Sequence, residues 1–290
     1  MISESELMMN SDGSIFHLHL VPDQLARKII LVGDPARVDL VLSLFSSVEF
    51  KVRNREFHAA TGTFHDTRVT VLSSGIGTDN IDIVMNELDA LANMDFTTRT
   101  PKKNFTPLEI MRIGTSGAIQ PDLPLNSFVV SEKAVGFDGL VRFYAGREKV
   151  CDLEFEKQLM DLPGWDPALP LPYVVDASQK LLGKFETPPF IRGVTLTAPG
   201  FYGPQGRKIR MPLKFPAMNE RLRNFRFQHY RITSYEMECS AIYGLSRMLG
   251  HQAITVCAII ANRMTGETNP KYRLLMKKLI KTALNRFITP

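Results

Sequence analysis

Lys28-Ile-Ile-Leu-Val-Gly-Asp-Pro-Ala-Arg37 carries the decision about the fold. An unbroken aliphatic run closed by glycine reads as a short strand covered on both faces, because an amphipathic strand would alternate. Short apolar runs rich in β-branched residues recur at Val69 to Gly75, Ile110 to Gly114, Ser127 to Gly136, Gly193 to Leu196 and Ile254 to Ala261. Helical patterns lie between these runs. Ile81, Val84, Met85, Leu88, Leu91 and Ala92 form one apolar face after Asp79-Asn80, read as the capping pair. Further helices are expected from about Glu238 to Leu249, stopped by Gly250, and from Tyr272 to Phe287. The latter's Lys/Arg side reads as the solvated face of a helix docked on a sheet, in preference to a membrane-surface helix. Alternation of this kind indicates an α/β fold with a parallel or mixed central sheet and a ligand site at the carboxyl ends of its strands.

The chain has 290 residues, 44% hydrophobic and 22% charged, and no linker-like stretch, so one domain with a large core is expected. Residues 1–13 read as a tail and 14–290 as the domain. A net charge of +5 favours anions without the basic runs of nucleic-acid binders, so no nucleic-acid partner is expected. Cys151, Cys239 and Cys257 form neither a disulfide framework nor a zinc pattern, which suits a reducing, cytoplasmic setting. The acidic start is not a secretory signal, and no apolar stretch is long enough for a membrane helix.

Gly75-Ile-Gly77 opens a helix, but Asn80 stands where a dinucleotide fingerprint needs its third glycine, and no Walker lysine follows any glycine loop. His17 and His19 alternate with apolar neighbours in what reads as an extended segment, and lining a ligand cleft suits them better than holding a metal. Arg37, Arg55 and Arg112 each stand beside a strand end or turn. Singly each reads as a surface charge; together with the Gly33 amide and the Thr115 hydroxyl they can hold a phosphate dianion. Glu236-Met-Glu238 precedes a helix, where a carboxylate can either cap or bind a vicinal diol. Phe201, Gln205 and Arg207 combine an aromatic face, an amide and a guanidinium. The amide can donate to a ring carbonyl and accept from a ring N–H, which matches the O2/N3–H edge of uracil.

Phe16-His-Leu18, Val32-Gly-Asp-Pro-Ala-Arg-Val38, Arg55-Glu-Phe57, Ser74-Gly-Ile-Gly77, Arg112 to Gln120, Phe201-Tyr202 with Gln205 and Arg207, Tyr235 to Glu238, and Asn262-Arg263 stand in this order. In that order they resemble the nucleoside phosphorylase-I family, most closely its uridine phosphorylase branch, over about residues 14 to 287. The resemblance implies a single-domain, three-layer α/β/α fold with a mixed, partly barrel-like central sheet. It implies phosphate binding by Gly33, Arg37, Arg112 and Thr115, with Arg55 from a neighbouring subunit. Ribose falls to Thr115, Met237 and Glu238, with His17 of the neighbour at the 5′-hydroxyl. Phe201, Gln205, Arg207, Ile260 and Ala261 would hold the base, and Arg263 would support Arg207 or the base. Arg112, Thr115, Arg207 and Glu238 are the expected catalytic set.

Purine-cleaving members usually carry an Asp around Ala261-Asn262; this chain has none, which points to a pyrimidine. The implied activity is reversible phosphorolysis of uridine, and of deoxyuridine, to uracil and the pentose 1-phosphate. A purine nucleoside phosphorylase, or a silent nucleoside binder of the same fold, is the alternative. Phosphate is a co-substrate and no cofactor is expected. Glu56, Ile76 and Asn80 mark a candidate K+ site between subunits, although Gly77-Thr-Asp-Asn80 departs from the branch's Gly-Gly-Pro-Ser. Shared sites imply a homo-oligomer, at least a dimer and commonly a hexamer. An inserted segment, about 95–109, is expected to be an exposed loop.

Overall fold

A computed structural model describes residues 1–163 and 165–289; Pro290, the end of the expected domain, lies outside the described residues. In chain order the elements are β1 (Lys28–Val32), α1 (Pro35–Leu42), β2 (Ser47–Asn54), β3 (Phe57–Phe64), β4 (Thr67–Ser73), α2 (Thr78–Asn93), the small pair β5 (Met94–Asp95) and β6 (Thr100–Pro101), then β7 (Glu109–Ala118) and β8 (Phe128–Gly136). There follow α3 (Leu153–Met160), β9 (Tyr173–Asp176), α4 (Gln179–Leu182), β10 (Phe190–Thr197), α5 (Met218–Asn224), β11 (Ile232–Glu236), α6 (Cys239–Met248), β12 (Gln252–Asn262) and α7 (Arg273–Ile288).

Ile29 to Val32 are fully buried, as the uninterrupted run requires, and β1 lies parallel between β4 and β7. The main sheet runs β11-β10-β8-β12-β7-β1-β4-β3-β2, with β9 on β8. Its first part closes on itself: Ser234 and Tyr235 of β11 pair antiparallel with Ala118 and Gly117 at the far end of β7. Strands β7, β12, β8, β10 and β11 therefore form a barrel, and β1 to β4 extend it as an open sheet. This is the mixed, partly barrel-like α/β sheet that the resemblance implied. Strand β7 belongs to both parts. It was expected to stop at Gly114, but it continues to Ala118 because β12 pairs with it along its whole length and glycines 114 and 117 ease its course at the barrel corner. Helices α1 and α7 meet and pack against β3, β4, β7 and β12, whereas α6 meets α2 and packs against β8, β9, β10 and β12.

Three local expectations need correction. Helix α2 starts at Thr78, before the expected Asp79-Asn80 pair; Gly77, at φ +100°, is its cap residue and supplies no side chain. The segment around His17 and His19 is a closed turn, with the His19 amide donating to the Ile15 carbonyl and the Ile15 amide to the Leu20 carbonyl. His17 therefore meets Glu87 at 2.6 Å and His19 meets Asp12 at 3.0 Å, and the two rings share no face. The 95–109 insertion is exposed at 97–98 and 101–105 and otherwise mostly half-buried, and it is tied down: the Ile2 amide donates to the Arg99 carbonyl, and Arg99 Nη1 to the Leu7 carbonyl at 2.6 Å. Leu7, within the first 13 residues, is buried in the main core.

Candidate active site

The carboxyl ends of β1, β4, β7, β11 and β12 open into a cavity of about 890 Å3. Gly33, Arg37, Arg112, Thr115, Phe201, Gln205, Arg207, Met237, Glu238, Ile260 and Ala261 all line it, and Glu56, Ile76 and Asn80 lie along the same wall. Their gathering follows from the topology, because the parallel neighbours β4, β1, β7 and β12 release the chain on the same side of the sheet, and the closure of β11 on β7 brings Tyr235 and Glu236 to that end.

One end of the cavity is cationic. Gly33 and Asp34 lead into α1, whose first turn is capped by Asp34 accepting from the Ala36 amide at 2.9 Å. Arg37, in the first turn of that helix, lines the cavity; its amide donates to the Asp34 carbonyl, and its guanidinium has no hydrogen-bond or ion-pair partner among the described residues. Arg112 differs sharply. Its guanidinium is buried; it donates to Glu238 Oε2, lies 3.2 Å from Glu236 Oε2 and donates to Cys257 Sγ at 3.3 Å. Burial alone would lower its pKa, but the two carboxylates outweigh burial and raise it, so it is a permanent cation. Gly114 makes room for this fold-back: a β-carbon there would fall 2.8 Å from the Arg112 Cζ.

The two glutamates divide the alternatives left open by the sequence. Glu236 accepts from Thr197 Oγ1 at 2.6 Å and from the Glu238 and Cys239 amides at 2.8 Å each, so it caps α6 from within the core. Burial raises its pKa, against the opposing pull of Arg112. Glu238 turns toward the cavity, where its Oε1 accepts from the Gly77 amide at 2.8 Å and its Oε2 from Arg112. A carboxylate 161 residues downstream thus satisfies the buried N–H at the start of α2, which has no partner within the helix. Each of its oxygens keeps a lone pair for a hydroxyl.

At the other end, the Arg207 guanidinium lies 3.7 Å from the Phe201 ring centroid and donates to the Phe201 carbonyl at 2.6 Å. Burial, with Arg263 nearby, pulls its pKa down to about 10, so it stays charged at neutral pH. Arg263 lies behind the cavity wall, is not among the residues that line it, and donates to the Gln205 and Gly206 carbonyls at 2.9 and 3.1 Å, which holds the turn. Asn262 points away too: its amide donates to the Gln120 and Leu123 carbonyls and its oxygen accepts from the Met264 amide. His17 and Arg55 line no part of the cavity. They are neighbours on the surface, where Asn54 Nδ2 donates to the His17 carbonyl at 2.9 Å and the Arg55 guanidinium stands 5.7 Å from the Phe16 ring.

Residues the sequence reading assigned no role also line the site: Ser116, Tyr235, and the wall Thr268, Asn269, Pro270 and Tyr272. Tyr272, expected on the apolar face of the last helix, is the cap residue of α7; it packs against the main core and also lines the cavity. The loop before α7 has no periodicity that would mark it.

A family model described as the phosphorylase superfamily matches residues 27–287. The chain is 28% identical over 265 residues to a uridine phosphorylase of Thermococcus kodakarensis, covering 91% of this chain and 83% of that one. It is likewise 28% identical over 252 residues to a DeoD-type purine nucleoside phosphorylase of Colwellia psychrerythraea, covering 87% and 88%. Among solved structures, a Trypanosoma brucei nucleoside phosphorylase described as showing uridine phosphorylase activity superposes with a TM-score of 0.88 at 29% identity, over 98% of this chain and 100% of that one.

Proposed function

The chain belongs to the phosphorylase superfamily, and we propose that it is a nucleoside phosphorylase acting on uridine, with deoxyuridine as a second substrate. One observation carries the reading: a single cavity holds an unpartnered Arg37 beside Arg112 and Thr115, the Met237-Glu238 pair, and the Phe201, Gln205 and Arg207 face.

In this reading phosphate sits between Arg37, Arg112, Thr115 and the Gly33 amide. It attacks C1′ as the glycosidic bond breaks, so positive charge develops on the sugar and the base leaves as an anion. The phosphate dianion offsets the first charge, and Arg207 with Gln205 stabilises the second without a strong general acid. Glu238 accepts from the ribose hydroxyls. Through its ion pair with Arg112 it couples the placing of sugar and phosphate. Asn262, committed to backbone carbonyls, leaves no acid opposite a purine N7, which supports a pyrimidine.

His17 and Arg55 serve the site of a second copy, so the working unit is at least a dimer, and a hexamer is its natural extension. Glu56, Ile76 and Asn80 offer oxygen donors of the kind a hard monovalent cation takes, and K+ there would brace the subunit contact.

The deciding experiment is release of free base from uridine and from inosine, with and without inorganic phosphate. Phosphate-dependent uracil release with formation of ribose 1-phosphate is the expected result. Phosphate-dependent cleavage of inosine alone moves the chain to the purine branch, release without phosphate makes it a hydrolase, and no release from either makes it a silent binder.

A further inference from the structure

The turn that carries the base-reading side chains has little packing of its own. Phe201, Tyr202, Ile209 and Met211 around it are all at least half exposed, yet Gln205 within it is buried. Polar contacts from outside the cavity make up the difference. The Gln205 carbonyl accepts from Asn219 Nδ2 at 3.1 Å as well as from Arg263. Asn219 Oδ1 accepts from the Tyr235 hydroxyl at 2.9 Å. Gly206 adopts φ +69°, and a β-carbon on it would fall 3.0 Å from the Asn219 Cγ, so the turn rests directly on that amide. Arg207 donates to the Gln205 Oε1. The Gln205 Nε2 is thereby left free to donate, and Oε1 keeps one lone pair for a ring N–H.

We propose that Asn219, on α5 and outside the cavity, is a positioning residue: bridging Tyr235 to the Gln205-Gly206 backbone, it aims the Gln205 amide at the edge of the base and so sets base discrimination. The proposal rests on the uridine reading above. Asn219 is placed to do this because it touches both a rigid barrel strand, through Tyr235 on β11, and the turn. A displacement near 1 Å at the turn is the scale on which catalysis loses about two orders of magnitude.

The test is Asn219→Leu, assayed with uridine and with 3-methyluridine, whose N3 carries no proton for Gln205 to accept. The expected result is a KM for uridine raised about tenfold, a preference for uridine over 3-methyluridine reduced about tenfold, and a KM for phosphate changed less than twofold. Tyr235→Phe moves both uridine values in the same direction, and the double variant is no worse than Asn219→Leu alone, since the two residues act in series. Tyr235→Phe also serves as the test if Asn219→Leu does not fold. An unchanged preference, or a loss spread equally over phosphate KM and thermal stability, overturns the positioning role. A wild-type enzyme that ignores uridine overturns the functional reading itself.

Discussion

Replacing Arg112 by alanine tests the centre of the site in two independent ways. The guanidinium bridges two buried carboxylates, Glu236 and Glu238, so its loss leaves both without their cation in the interior. Deleting one partner of a buried ion pair costs about 3–5 kcal/mol. The cost is expected to depend on pH. Burial already raises the Glu236 pKa above 4.5, and Arg112 is the main opposing influence; without it the folded-state pKa climbs further. A carboxyl group whose folded pKa lies above its unfolded value binds an extra proton in the folded state. Its stability is therefore greatest below about 4.5 and is lost as pH rises through the folded pKa. Each further pKa unit is worth about 1.4 kcal/mol. The deficit relative to wild type is thus expected to be larger at pH 8 than at pH 5. Urea unfolding of both proteins at the two pH values measures it. In the same preparation, kcat/KM for phosphate is expected to fall about 10²- to 10³-fold, the scale of losing one strong charge-stabilising donor. A deficit under about 1 kcal/mol, equal at both pH values, refutes the ion-pair argument, and normal phosphate kinetics refutes the assignment of Arg112.

Two further variants address the scaffold. Lys180 and Lys28 outweigh burial at Glu109 and hold its pKa down to about 2, so its contribution is fully present above pH 4.5 and disappears as pH falls through about 2. With Lys180 largely in solvent, Glu109→Gln is expected to cost about 1–2 kcal/mol at pH 7 and nearly nothing at pH 2; an equal loss at both values by chemical unfolding contradicts this. The buried Tyr243 hydroxyl donates to the Ser131 carbonyl of β8 at 2.6 Å and accepts from the Thr255 amide of β12 at 2.8 Å, joining two barrel strands. Tyr243→Phe strands both backbone groups. A loss of about 2–4 kcal/mol and faster hydrogen exchange at Thr255 are expected, and a change under about 1 kcal/mol shows the barrel adjusting without the bridge.

Strands built around short apolar, β-branched-rich runs, β1, β4, β8 and β12, were legible in the sequence because such runs report burial on both faces without reference to any partner. Helices α2 and α7 were legible from their apolar stripes, and α6 from the glycine that stops it. Ile232-Thr-Ser-Tyr-Glu236 was not, though every residue of β11 is buried. Two of its polar side chains are satisfied by distant groups, Thr233 by the Val194 carbonyl and Glu236 by Thr197 and Arg112. Strands β2 and β3 escaped similarly: β2 is an edge strand half in solvent, and β3 buries small and polar residues such as Thr61, which donates to the Gln24 carbonyl.

The candidate site divides along the same line. Glycines at strand ends and the residue types at Arg37, Thr115, Gln205, Arg207 and Glu238 named the cavity, since chemical type and local spacing are properties of the chain alone. That Arg112 is held by two glutamates, that Glu238 also closes the start of α2, that His17 and Arg55 lie outside their own cavity, and that Asn219 supports the turn from behind were settled only by the tertiary structure. A buried polar group must find a partner, and in a barrel closed by strands more than a hundred residues apart that partner is chosen by topology, which no local pattern records.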